Sequence, residues 1–266
     1  MTGRRIGVIS GSGSYQLNGL YDRENRTVTT AYGSVELTLG RLAGVDVAQV
    51  ARHGATHQRL SNQVDHRANL AALFDCGVAA LVSLSVCGST DPVVAPGSLV
   101  VFDDLYFPSN RLPDGSLCTW HTEPGEKSRG HWIFDTPFSE PLRAVLLQAA
   151  RQLDVPVVER GCYGHVDGPR FNTRTEITAL TQAGVTAISQ TAGPEVVLAA
   201  EAEVPLALVG FVTDYANGVG GEPQPVEALQ VRMKQSAEVF GRLLEQALPT
   251  IAGVVAAPGF VYRFES

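Results

Sequence analysis

Four apolar runs in this chain stop abruptly, and each stops at polar or small residues. Ile6-Gly7-Val8-Ile9 enters Ser10-Gly11-Ser12-Gly13-Ser14, and Val45–Ala51 ends in Arg52-His53-Gly54. Val78–Val86 ends in Cys87-Gly88-Ser89, and Val185–Ser189 enters Gln190-Thr191-Ala192-Gly193. Short, continuous apolar runs read as strands buried on both faces. Between them lie segments of helical period: Asn62–Cys76, Glu140–Leu153, Thr173–Ala183, Pro194–Ala202 and Val226–Ala247. Further strands are expected at Gly97–Phe102, within Val155–Val166, and at Leu206–Thr213; Val35–Leu42 and Val45–Ala51 read as a β-pair joined by Ala43-Gly44. Strands alternating with helices, without a long linker, predict a single α/β domain over residues 1–266. Its sheet should be mixed, mainly parallel, and flanked by helices. A C-terminal tail from about 249 to 266, with a Pro/Gly/aromatic stretch from Ala256, is expected to pack on a neighbour or on the surface. In open α/β sheets, ligands gather at the carboxyl ends of strands, which is where the hydroxyls and glycines fall.

Composition removes several classes of function. The net charge is -7 and no Lys/Arg run occurs, so nucleic acid is not the expected partner. No apolar stretch approaches a membrane span, and polar Ser10 interrupts the first one too early for a signal peptide, so a cytoplasmic protein is expected. The four cysteines form no CxxC pair and read as reduced structural thiols. The six histidines are scattered, so no metal site is expected.

The glycine loop narrows the ligand. A dinucleotide fingerprint needs a third glycine at position 16, which is Gln, and a helix opening in the loop. A P-loop needs Gly-Lys-Ser/Thr, which is missing. What remains is a tight turn offering amides and the hydroxyls of Ser10, Ser12 and Ser14, a nest for a small anion; taken alone it is equally a plain strand-ending turn. Arg52 adds a planar fork of donors and His53 a further one. Together with Ser85 and Thr191 these groups suggest orthophosphate rather than pyrophosphate.

At this point the residues resemble a known family. GSGS, ARHG with His57, VDHRAN (Val64–Asn69), SVCGS, GPRFNTRTE (Gly168–Glu176), TAGPEVVLA (Thr191–Ala199) and VTDYANG (Val212–Gly218) occur in the order found in trimeric purine nucleoside phosphorylases. The nearest likeness is to the 5'-methylthioadenosine phosphorylase branch, from about residue 5 to residue 245. The resemblance implies phosphorolysis: a purine nucleoside and orthophosphate give the free base and ribose 1-phosphate, with no cofactor and no metal. It places phosphate against Ser12, Arg52, His53, Ser85, the Val86 amide and Thr191, and gives His53 a catalytic part. It stacks the purine on Phe171, beside Asn172, with Asp214 at the N7 edge as the second catalytic group. It puts the sugar at Gln190 and His57, and brings His131 in from an adjacent subunit, so a homotrimer or a dimer of trimers is expected.

The chemistry suits these residue types. The departing purine needs a proton or a strong hydrogen bond, which a carboxyl group raised in pKa by burial supplies. Three positions depart from the pattern. Ala216 stands where the adenine-specific branch commonly has a second Asp, Gln190 replaces a usual Met, and Asn172 fits either an adenine or a hypoxanthine N1. The leading expectation is a 5'-deoxy-5'-modified adenosine, methylthioadenosine by default. The alternatives are a 6-oxopurine nucleoside such as inosine or methylthioinosine, a hydrolytic nucleosidase, and a non-catalytic nucleoside-binding relative.

Overall fold

The computed structural model describes residues 4–220, 225–254 and 259–264. The chain opens with β1 (Arg5–Ser10), β2 (Tyr21–Thr30), β3 (Gly33–Leu42) and β4 (Val45–Ala51). A 3-10 turn at Ser61–Gln63 leads into α1 (His66–Asp75) and the long strand β5 (Val78–Ser89). Then come β6 (Leu99–Val101), β7 (Asp104–Tyr106), β8 (Gly130–Ile133) and α2 (Glu140–Ala150). They are followed by β9 (Val157–Val158), β10 (Cys162–His165), α3 (Arg174–Gln182), β11 (Val185–Ser189) and α4 (Ala192–Glu201). The chain closes with β12 (Leu206–Tyr215), α5 (Val226–Ile251) and β13 (Phe260–Arg263).

Eleven strands form one mixed sheet. Strands β4, β1, β5 and β12 run parallel in that spatial order. The β2–β3–β4 meander is antiparallel on one flank. Strand β5 is the branch point. Along most of its length it pairs with β1 and β12, while Gly88 and Ser89 also meet Ile188 and Ala187 of β11 in antiparallel register. From β11 the sheet continues through β10 to β7. The ends of β5, β11 and β12 therefore converge, and a ligand is expected in that crevice.

Two apolar layers cover the sheet. On one face Leu70, Leu73, Val196 and Leu198 from α1 and α4 pack with Leu81, Leu208 and Val212. On the other, Leu142 and Leu146 of α2 and Phe240, Leu243, Leu244 and Leu248 of α5 pack with Val82, Leu84, Val209 and Phe211. Alternate residues of β5 and β12 serve opposite layers, which is why both strands read as unbroken apolar runs. Local signals set the helix starts. The Asp65 side chain accepts from the Ala68 amide at α1, and Thr173 with Glu176 forms a capping box at α3.

The expected α/β architecture is present, with differences at its margins. Strand β2 has no counterpart in the sequence reading, because its residues are exposed on nearly every position and carry no apolar alternation. Helix α1 begins four residues later than expected, since Ser61–Gln63 forms a separate turn. The segment expected as a tail from 249 still belongs to α5, whose last turn takes Pro249 before ending at Ile251. Phe260–Arg263 pairs with β8 in a separate two-stranded sheet, and the remaining tail residues at 255–258 and 265–266 lie outside the described residues. No described helix is long and apolar enough to cross a membrane.

Candidate active site

A cavity of about 460 Å³ opens where β5, β11 and β12 end, a size suited to one small ligand set. Its walls include Ser12, Arg52, His53, His57, Ser85, Val86, Phe171, Asn172, Gln190, Thr191 and Asp214. Eleven of the twelve residues singled out in the sequence thus meet in one place. Arg52 and Asp214, which a misread fold would separate, share it. A more open depression of about 540 Å³ near Pro96, Pro156 and Arg232 contains none of them.

The glycine loop is built by its two glycines for different reasons. Gly13 has φ +84°, and a side chain there would lie 2.6 Å from the Met233 carbonyl oxygen of α5. At Gly11 a side chain would lie 2.6 Å from Arg52 Nη1, so this glycine makes room for the guanidinium. Of the three serines only Ser12 faces the cavity. Ser10 accepts from buried Gln49 Nε2 at 2.9 Å, and Ser14 is buried away from the cavity. The expected three-hydroxyl nest is therefore a one-hydroxyl contribution, because Ser10 is bonded within the fold and Ser14 Oγ is buried outside the cavity without a hydrogen-bond partner among the described residues.

Arg52 is almost fully buried, and most of its donors are engaged within the protein. Nε donates to Glu195 Oε1 at 2.5 Å and Nη2 to Glu195 Oε2 at 2.8 Å. Nη2 also donates to Ser83 Oγ at 2.9 Å, and Nη1 to the Leu84 carbonyl at 3.0 Å. Burial alone opposes both charges. Their mutual attraction outweighs it, holding Glu195 below and Arg52 above their ordinary values. Of the five guanidinium N–H groups, the second on Nη1 is left for an anion. Glu195 had no assigned part in the sequence reading, although it stands within TAGPEVVLA. A carboxylate in the first turn of a helix reads first as a dipole partner.

His53 is neutral. Burial, helped by the Arg52 and His57 charges, pushes His53 down to about 4. Its Nδ1–H donates to the Arg59 carbonyl at 3.0 Å. The tautomer is thereby fixed, and unprotonated Nε2 is left as an acceptor. The donor expected of His53 is thus committed to Arg59, and the ring has only an acceptor left to offer. His57 stacks on His53 with ring centroids 4.6 Å apart and shares a 2.5 Å hydrogen bond with Tyr15 Oη. Behind the Arg52–Glu195 pair, burial also lowers His66 to about 4 and His165 to about 3.

Helix α4 starts at the end of β11, but its first amides are occupied. The Ala192 amide donates to Tyr163 Oη at 3.1 Å, and that of Gly193 to His165 Nδ1 at 3.4 Å. Thr191 makes no capping bond to its own helix, so its hydroxyl is free to serve the cavity. Ser85 completes this end, its Oγ donating to the Val86 carbonyl at 3.1 Å.

Asp214, also in the cavity wall, lies within β12 rather than after it, because a register shift between Val212 and Asp214 keeps the strand paired with Gly88. Burial raises its pKa, against the Thr213 hydrogen bond and the Arg232 charge. Thr213 Oγ1 donates to Oδ1 at 2.7 Å, leaving Oδ2 the freer oxygen. Phe171 is 75% exposed, so it is no core aromatic. Asn172 Nδ2 turns to Glu176 Oε2 at 3.4 Å, although the residue still lines the cavity. Gln190 is held at both ends of its amide: Oε1 accepts from Ser61 Oγ at 2.8 Å and Nε2 donates to the Arg170 carbonyl at 3.0 Å. His131 is the exception. It lies on exposed β8 against Phe264 and does not line this cavity.

Two outcomes follow. Glu195→Ala should lower the unfolding free energy by about 3–5 kcal/mol, since it strands a buried guanidinium; urea denaturation measures this, and a loss within about 1 kcal/mol would contradict the pairing described. Second, His53, His66 and His165 are neutral in the fold, with lowered pKa values of about 4, 4 and 3 against an ordinary 6.5. The unfolded chain binds more protons just below 6.5, so stability should fall as pH drops from 6.5 toward 4, and lowered Glu195 adds to the loss at the acid end. Urea midpoints across that range should decline steadily.

Similarity to known proteins agrees with this geometry. Residues 5–249 match the phosphorylase superfamily. The chain is 34% identical over 247 residues to a 6-oxopurine nucleoside phosphorylase of Pyrococcus furiosus, covering 93% of each. It is 35% identical over 253 residues to an S-methyl-5'-thioadenosine phosphorylase of Pyrococcus horikoshii, again covering 93% of each. Methylthioadenosine phosphorylase from Schistosoma mansoni, solved in complex with adenine, superposes with a TM-score of 0.84 at 28% identity, over 94% of this chain and 92% of that one. The match along nearly the whole chain, around a cavity lined by the residues that its motifs single out, makes this protein a member of the phosphorylase superfamily, within its purine nucleoside phosphorylase family.

Proposed function

We propose that the protein cleaves a purine nucleoside with orthophosphate, and that its substrate is 5'-methylthioadenosine or another 5'-deoxy-5'-modified adenosine. The observation that carries this reading is one cavity lined both by the donors around Arg52 and by a buried carboxyl of raised pKa, Asp214. The C1'–N9 bond breaks with its electron pair passing to the purine, and a phosphate oxygen bonds to C1'. Ser12, Ser85, Thr191, the Val86 amide and the open Arg52 N–H fix the phosphate beneath the sugar. It is there both nucleophile and counter-charge to the cationic ribose. Nε2 of His53 accepts a hydrogen bond from the remaining P–OH of a monoprotonated phosphate, because its other nitrogen is committed to Arg59. Asp214 faces the N7 and 6-substituent edge. Its raised pKa suits donation to N7, and its ionised form accepts from a 6-amino group. Phe171 covers the base, and Gln190 and His57 border the sugar. The reading requires no cofactor or metal beyond phosphate as co-substrate.

The second reading is a 6-oxopurine nucleoside. Asp214 favours it only when protonated, since an ionised carboxylate repels O6; its upward shift makes that form more accessible. A panel of adenosine, methylthioadenosine, 5'-deoxyadenosine, inosine and methylthioinosine, each with and without phosphate, separates the readings. Base release should require phosphate and favour the 5'-modified adenosines; release without phosphate overturns phosphorolysis. Asp214→Ala should lower kcat by about a hundredfold or more. Asp214→Asn should shift preference toward 6-oxopurines, because an amide N–H donates to O6.

We further propose a homotrimer, alone or as a dimer of trimers, in which His131 closes the 5' end of a neighbour's cavity. In support, β8 and β13 expose Ile133, Phe260 and Tyr262 beside it. Light scattering should give a mass near three or six times 28.3 kDa; a monomer would overturn this assembly.

A further inference from the structure

Phe171 presents a contradiction. It is an exposed aromatic at the apex of a loop, the placement that ordinarily gives a mobile side chain, yet its backbone is held on both sides. The carbonyl of Arg170, one residue before it, accepts from Gln190 Nε2 at 3.0 Å. The carbonyl of Asn172, one residue after it, accepts from Asn217 Nδ2 at 2.7 Å. The two amides come from different parts of the sheet, Gln190 directly after β11 and Asn217 two residues after β12. Each is a side-chain N–H given to a loop carbonyl that no regular element would satisfy.

Gln190 has a further attachment. Its Oε1 accepts from Ser61 Oγ at 2.8 Å, which ties the loop to the turn preceding α1. The packing here is close. A side chain on Gly168 would fall 2.1 Å from Gln190 Oε1 and 2.2 Å from Ser61 Oγ. Beyond the apex, Arg170 Nη1 and Nη2 reach Glu176 at 2.9 and 2.6 Å, and Glu176 also closes the capping box of α3. The clasp therefore joins β11, β12, the turn before α1 and the start of α3. None of these bonds involves Ser12, Arg52, Ser85 or Thr191.

We propose that Gln190 and Asn217 are positioning residues, whose amide N–H groups hold the Phe171 loop over the cavity and so set the affinity for the nucleoside without acting on phosphate. The proposal rests on the stacking part given to Phe171 above. It gives the unusual glutamine a task of its own: it serves the loop through both ends of its amide rather than acting only as a sugar ligand. Both residues must be donors, which makes their carboxylate isosteres informative. Glu at 190 still accepts from Ser61 but turns an oxygen toward the Arg170 carbonyl. Asp at 217 does the same to Asn172.

The test uses the full-length protein and the variants Gln190→Glu, Gln190→Met and Asn217→Asp, with two readouts. Amide hydrogen exchange over residues 168–173, measured without ligand, should quicken by about fivefold to tenfold in each variant, the equivalent of one lost hydrogen bond. The nucleoside KM should rise by a similar factor of about five to ten, with the phosphate KM within about twofold of the parent. Parental exchange and nucleoside KM in Gln190→Glu and Asn217→Asp would overturn the clasp. An equal rise in both KM values would overturn its restriction to the nucleoside. If the unaltered protein shows no phosphorolysis, the functional reading fails, and the exchange measurement still decides whether the clasp exists.

Discussion

The bidentate pair between Arg52 and Glu195 is the interaction on which the rest of the site depends. It joins the end of β4 to the first turn of α4, and it draws in Ser83 and Leu84 from β5 between them. Three separate segments thereby acquire a fixed relation. Two charges taken this far from water are tolerated only because each finds the other in bidentate geometry and most of the remaining donors are also met. The arrangement has an electrostatic consequence. The buried guanidinium is already paired with a carboxylate, so an anion placed beside it would meet mostly neutral donors, and fixed placement would contribute more there than net charge.

Burial sorts the ionisable groups around that pair by sign and by distance from solvent. His53, His66 and His165 stay neutral because burial disfavours their protonated forms, while at Asp214 burial outweighs the Thr213 hydrogen bond and the Arg232 charge and holds the proton longer. The cavity thus brings together an acceptor nitrogen next to fixed donors and a carboxyl whose pKa burial raises. That contrast comes from packing rather than from any unusual residue type.

The strands and the hydroxyl-bearing turns were legible because apolar runs and their polar ends are local features. Val78–Val86 and Leu206–Thr213 carry their own burial in their composition, and the segments after them could be read as ligand positions by the general behaviour of such sheets. Strand β2 was not legible, since its residues face water on nearly every position and its register comes from β3 alone. Glu195 and Gln190 were only half legible. Their motif positions are plain, but their partners lie 143 and 129 residues away along the chain, at Arg52 and Ser61, and no local pattern names a partner at that separation. Ser10 and Ser14 looked equivalent to Ser12 for the same reason.

The sequence by itself determined that this chain forms an α/β layer structure with anion-type turns at its strand ends, because burial pattern and turn chemistry act over a few residues. It also determined the family, through seven motifs in order. Only the tertiary structure decided which donors remain for a ligand. A guanidinium, an imidazole or an amide has a fixed number of hydrogen-bonding positions, and how many are already spent is set by whatever the folded chain places beside it.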